Sequence, residues 1–141
     1  MAVKKWNARL SLLTLALLLI HEGYQLFAYI TFYYNPMLSS VSGYALAGCF
    51  VLHGILSAIC VFALHDAKSI AYKTQNIRTV IQRVSAALII LMLLPHIFSF
   101  SLLQSSAGGC GYILVEATQI IYYAALSCHI ALSFSNALIT L

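Results

Sequence analysis

The chain has 141 residues, of which 62% are hydrophobic and only 7% charged, whereas a soluble globular domain carries about 25% charge. That balance excludes a soluble globule. It also makes a nucleic-acid footprint an unnecessary explanation of the formal net charge of +4, which the distribution of the basic residues explains by itself.

A membrane-crossing helix takes about 20 mostly apolar residues. The chain supplies four such stretches, predicted at residues 10–34, 43–64, 77–103 and 112–141. They imply an all-α membrane protein, an up-down four-helix transmembrane bundle formed by a single domain over residues 1–141. A short basic segment precedes the first span, which is too long for a signal peptide and lacks its small-residue cleavage site, so it is expected to be retained. Breakers bound the spans: Asn35-Pro36 after the first, His65-Asp66 after the second, and a run of Ser and Gly from Gln104 to Gly111 after the third.

All seven basic residues fall on two segments: Lys4, Lys5 and Arg9, then Lys68, Lys73, Arg78 and Arg83. The positive-inside rule therefore predicts a cytoplasmic N-terminus and middle loop, with the two uncharged loops outside. Tyr24, Tyr29, Tyr33 and Tyr34 are expected to include residues of the aromatic belt at the outer interface. Cys49, Cys60 and Cys128 lie within spans and Cys110 in an outer loop; with no close metal-ligand spacing they imply neither a disulfide framework nor a zinc site, and buried membrane thiols are the plain reading.

Polar groups inside a membrane are expensive, and the five histidines require a reason. His21, His53, His96 and His129 occur one per span, well inside the apolar stretch, whereas His65 sits beside Asp66 at a membrane boundary. One intramembrane histidine is most simply an interhelical hydrogen bond; four, one on each helix, point further. Zinc is disfavoured, because four histidines at scattered depths with no Cys or carboxylate partners do not make a compact tetrahedral site. Haem needs only two neutral imidazoles on opposite faces of its iron, which facing helices can supply.

Counting from the basic anchors, His21 lies twelve residues after Arg9 and His96 thirteen after Arg83, which puts both about 18–20 Å into a core about 30 Å thick. The first and third helices run in the same direction and are diagonal neighbours in such a bundle, so His21 and His96 form one expected pair and His53 and His129 the other. Counting does not fix the depth of the second pair. Small residues beside the ligands, namely Gly23, Gly54, Ser57, Ala125 and Ser133, would admit a flat macrocycle. They also mark plain helix contacts. Pro95, just before His96, locally opens the third helix in a way that membrane neighbours can accommodate.

The third span opens Ile81-Gln82-Arg83-Val84-Ser85 and reaches Pro95-His96 thirteen residues after the arginine. This resembles the Gln-Arg-x-Ser/Thr-Gly opening, followed at that spacing by a haem-ligating histidine, of the single-chain diheme cytochrome b anchors of succinate dehydrogenases and fumarate reductases. His21 within Leu-Ile-His, His53 within Val-Leu-His-Gly, and His129 followed by Ser135-Asn136 extend the resemblance over essentially the whole chain.

The resemblance implies two haem b groups, one held by His21 and His96 far from the cytoplasm and the other by His53 and His129 nearer to it. It also implies electron transfer between membrane quinone, menaquinone by expectation, and an iron–sulfur subunit joined to a flavoprotein subunit, in the inner membrane of a prokaryote. Succinate and fumarate chemistry would belong to those soluble subunits and not to this chain. Three departures bear on it: the family's fifth span is missing, so another membrane chain or a second copy is expected in its place; Ala86 replaces the motif glycine; and Ser127 stands where some menaquinol-oxidising members carry a glutamate.

Glu22, next to His21, and Glu116, near the outer start of the fourth span, are the candidates for carrying the protons that quinone chemistry requires. A carboxyl hydrogen-bonded to a neighbouring helix is the plainer reading of Glu22. Arg83 and Ser85 are candidate cofactor-binding residues, Arg83 as a haem-propionate partner or simply as a topological anchor, a choice that also holds for Lys68. Two other classes stay open from the residues alone: a small four-helix transporter or assembly partner with structural histidines, and a quinone-linked cytochrome of the b561 sort working without a dehydrogenase.

Overall fold

The structure, a computed structural model, describes residues 2–63, 73–99 and 110–141. Its elements are α1 (Ala2–Thr31), α2 (Pro36–Ala58) running into one π-helical turn (Ile59–Ala63), α3 (Lys73–Ile97) and α4 (Cys110–Thr140). Among the described residues these four helices are long and apolar enough to cross a membrane, with mean hydropathy from 1.3 to 2.0 over their most apolar windows. The chain is an all-α, multi-pass membrane protein.

The helix ends differ from the predicted spans for definite reasons. α1 starts at Ala2 rather than at residue 10, because hydropathy reports the part that sits in hydrocarbon, while Lys and Arg are good helix formers and carry the helix beyond it. α2 starts at Pro36, seven residues before the predicted span. There Asn35 is an N-cap whose side-chain Oδ1 accepts from the backbone N–H of Met37 at 3.0 Å and Leu38 at 3.2 Å, and Pro36 takes the first helical position, where a missing N–H costs nothing. The dipeptide expected to break a helix begins one. Pro95 lies inside α3, which ends at Ile97; residues 100–103 of the predicted span, together with His65, Asp66 and Lys68, lie outside the described residues.

The chain divides into two compact units. The first holds α1, α2 and residues 136–141. Tyr24 pins its turn: the phenol donates to the Asn35 carbonyl at 3.1 Å and accepts from the Asn35 N–H at 2.6 Å. Below the turn, Gln25 Nε2 donates to Ser39 Oγ at 2.7 Å, and at the basic end Ser57 Oγ donates to Asn7 Oδ1 at 3.2 Å. Lys5 Nζ donates to the Leu141 carbonyl at 3.0 Å. Ala8 and Ala28 are buried, which lets the helix backbones approach closely.

The second unit holds α3 and α4 as far as Ser135. Ile89, Val115, Tyr122, Ala125 and the hydroxyl-bearing Ser85 are buried in it. Gln82 Nε2 donates to Ser133 Oγ at 2.8 Å, and the Arg78 guanidinium donates to the Leu132 carbonyl at 3.0 Å and to Ser135 Oγ at 2.9 Å. Most large apolar side chains of both units are exposed, among them Leu19, Ile30, Leu91 and Ile120. Hydrocarbon is the solvent in which such a surface is stable.

Candidate functional site

The hydrogen bonds fix the axial register inside each unit, and with it the depth of the histidines. In the first unit His21 faces Ser42, Gln25 faces Ser39 and Asn7 faces Ser57. By that register His53 lies level with about Ser11, about ten residues and so about 15 Å along the axis from His21. In the second unit His96 faces Gln119, Ser85 faces His129 and Gln82 faces Ser133. Here the His96 and His129 levels are about eleven residues, or about 16 Å, apart. Each hairpin therefore carries one histidine near its far end and one near its basic end, which supplies the depth of His53 and His129 that counting along the chain leaves open.

The imidazoles are held in similar ways. His21 Nδ1 is 3.0 Å from Ser42 Oγ, a hydroxyl that itself donates to the Ser39 carbonyl at 3.0 Å. With its hydrogen spent there, the hydroxyl is left to accept from Nδ1–H. His96 Nδ1 is 2.8 Å from Gln119 Oε1, and its ring stacks on Tyr122 with centroids 4.3 Å apart and Tyr123 edge-on at 5.7 Å. His129 Nδ1 is 3.1 Å from the Gln82 carbonyl and 3.4 Å from Ser85 Oγ. A carbonyl or amide oxygen only accepts, so in His96 and His129 Nδ1 carries a hydrogen, and in the neutral ring the lone pair is then on Nε2. His53 is half-buried on α2. The interhelical hydrogen bond expected of a lone membrane histidine is thus present at His21, His96 and His129, and at each it uses Nδ1.

Of the small residues near the histidines, two leave space. A Cβ added at Gly23 or Gly54 would meet nothing within 4 Å, so the helix surface beside His21 and His53 is open. Gly43 behaves otherwise: a Cβ there would come within 3.2 Å of His21 Cε1, so this glycine lets the imidazole lie against α2. Ser57, Ala125 and Ser133 serve contacts within their own units, the serines by hydrogen bonds to Asn7 and Gln82 and the alanine by burial.

The remaining candidates are distributed as follows. Ser85 is buried and donates to the Gln82 carbonyl at 3.0 Å, next to His129. Arg83 is exposed on α3. Glu22 is half-buried beside His21, and Glu116 is half-buried on α4, one turn before the Gln119 that holds His96. Sequence reading missed Ser42, Gln82, Gln119 and Tyr122 as partners of the histidines. Gln119 had a signal, being an amide in the middle of an apolar span.

Against models of protein families, curated proteins and solved structures, the chain has no match. Among the described residues no three His, Cys, Asp or Glu side chains gather around one point. An imidazole whose Nδ1 is engaged and whose Nε2 is left to bind, as at His21, His96 and His129, is the kind of donor that suits bis-histidine haem iron, where a partner on the other ring nitrogen orients the ligand.

Proposed function

We propose that the chain is the diheme cytochrome b anchor of a succinate dehydrogenase or fumarate reductase. In this reading it passes electrons between an iron–sulfur subunit on the cytoplasmic face and menaquinone in the inner membrane of a prokaryote. The observation that carries the reading is that each hairpin presents two histidines at two levels about 15 Å apart, with Nδ1 tied to an acceptor at three of the four. A haem b bound at each level supplies a one-electron Fe(III)/Fe(II) couple.

The residues of this chain have the remaining tasks. In the pairing that the resemblance implies, His21 and His96 would hold one haem and His53 and His129 the other. Ser42, Gln119 and the Gln82 carbonyl keep the lone pair on Nε2, which is the nitrogen able to bind iron. Open surface at Gly23 and Gly54 leaves room for the flat ring of the macrocycle. The apolar spans exclude water, and the basic segment that includes Arg78 and Arg83 presents positive charge to an acidic partner surface on the cytoplasmic side.

The test is a reduced-minus-oxidised spectrum and haem count of the purified protein. Two b-type haems per chain are expected, with each of His21→Ala, His53→Ala, His96→Ala and His129→Ala losing about half and His65→Ala losing none. Retention of both haems in any of the four variants sinks the assignment, and a colourless wild type replaces it with the transporter or assembly-partner class. Co-purification of flavin and iron–sulfur subunits separates the anchor from a stand-alone quinone-linked cytochrome.

A further inference from the structure

Gln119 occupies a position that no reading of the spans singled out. Its Oε1 lies 2.8 Å from His96 Nδ1, while its Nε2 donates to the Pro95 carbonyl at 3.4 Å and contacts Thr118 Oγ1 at 3.5 Å. The Pro95 carbonyl is one of the last four of α3, which have no partner within the helix. A carbonyl accepts only, so this contact fixes which end of the amide is NH2 and turns the oxygen toward the imidazole; the flipped amide would set two oxygens against each other. The amide thus joins the end of α3 to α4 and leaves His96 one tautomer. Tyr122, buried and stacked on the imidazole at 4.3 Å with the planes 15° apart, holds the ring plane.

We infer that Gln119 is a positioning residue for His96: it locks the proton on Nδ1, makes Nε2 the ligating atom, and tunes the electron affinity of whatever iron His96 binds. The second half of this inference rests on the haem reading; the first does not. An acceptor on Nδ1–H makes an imidazole more electron-rich, and an electron-rich ligand stabilises Fe(III) over Fe(II). Gln119→Leu keeps much of the volume and removes the acceptor, whereas Gln119→Glu puts a stronger acceptor in the same place.

Two measurements decide it. Redox titration of the full chain with its haems should show one midpoint potential rising in Gln119→Leu and falling in Gln119→Glu, with the other potential unmoved and both haems retained. Potentials unmoved in both variants overturn the inference, and if the leucine variant does not fold the glutamate variant carries the test alone. The second measurement is the 15N spectrum of histidine-labelled full chain prepared without haem. His96 should show an unprotonated Nε2 in the wild type and a mixture of tautomers in Gln119→Leu. A protonated Nε2 in the wild type overturns the inference. A wild type that binds no haem defeats the proposed function instead, and the tautomer measurement then judges Gln119 by itself.

Discussion

A neutral imidazole has one N–H and one lone pair, and its neighbours decide which nitrogen carries which. The four span histidines were legible in the sequence because a polar ring in an apolar stretch stands out. Their partners were not, because Ser42 meets His21 and Gln119 meets His96 only once the register of two helices is fixed, and no spacing along one helix reveals that. Gly43 is a further case. It reads as a small residue among many, yet its Cα lies so near His21 that an added Cβ would sit 3.2 Å from Cε1, whereas at Gly48 it would meet nothing within 4 Å. Gly43→Val should therefore cost about 1–3 kcal/mol as an overpacked contact and displace the imidazole from Ser42. Gly48→Val should stay within about 1 kcal/mol of the wild type, since only helix propensity changes. Reversible unfolding in mixed micelles measures both, and equal stabilities of the two variants would refute the close approach of α1 and α2 at His21.

Among the elements, the four spans were readable from apolar length alone, but their ends were not. Hydropathy follows the hydrocarbon boundary, whereas a helix stops and starts where backbone groups find other partners. The connection between α1 and α2 shows the difference. Phe32 takes a left-handed backbone (φ 56°), which for a residue with a Cβ costs about 1–2 kcal/mol. The two Tyr24 hydrogen bonds to Asn35 and the Asn35 cap offset that cost. The signal was present as Asn followed by Pro, the pattern of an N-cap and a first helical residue, and it was outweighed by the habit of reading Pro as a stop. Asn35→Ala removes the acceptor for two backbone N–H groups while leaving the backbone atoms that Tyr24 uses. It should cost about 0.5–2 kcal/mol, with Asn35→Asp close to the wild type. Thermal unfolding in detergent checks the order, and an alanine variant as stable as the aspartate variant would mean that the cap contributes nothing.

The whole chain repeats one polar plan. In the first hairpin a carboxamide near the basic end, Asn7, meets a serine, Ser57, one turn beyond His53; in the second, Gln82 meets Ser133, one turn beyond His129. In each, the other histidine sits on the first helix about 15 Å further along, with a carboxyl at nearly its own level: Glu22 adjoins His21, and Glu116 is one turn from the residue that holds His96. No charged residue other than these two carboxylates lies in that part of either unit's described spans. If the basic ends face the cytoplasm, as the positive-inside rule requires, both carboxylates belong to the outer half. Under the proposed function electrons then enter from the cytoplasmic side and meet quinone and its protons near Glu22 or Glu116. An electron that crosses between the two levels moves charge against or along the membrane potential, worth about 2.3 kcal/mol per charge per 100 mV for a full crossing. Succinate:quinone activity in sealed vesicles should accordingly change when an uncoupler collapses the potential, and Glu22→Gln or Glu116→Gln should slow it several-fold with the haem spectrum intact. Wild-type rates in both variants, together with indifference to the uncoupler, would place quinone at the other level, on the side of Arg83 and Ser85, where electrons need not cross the membrane core.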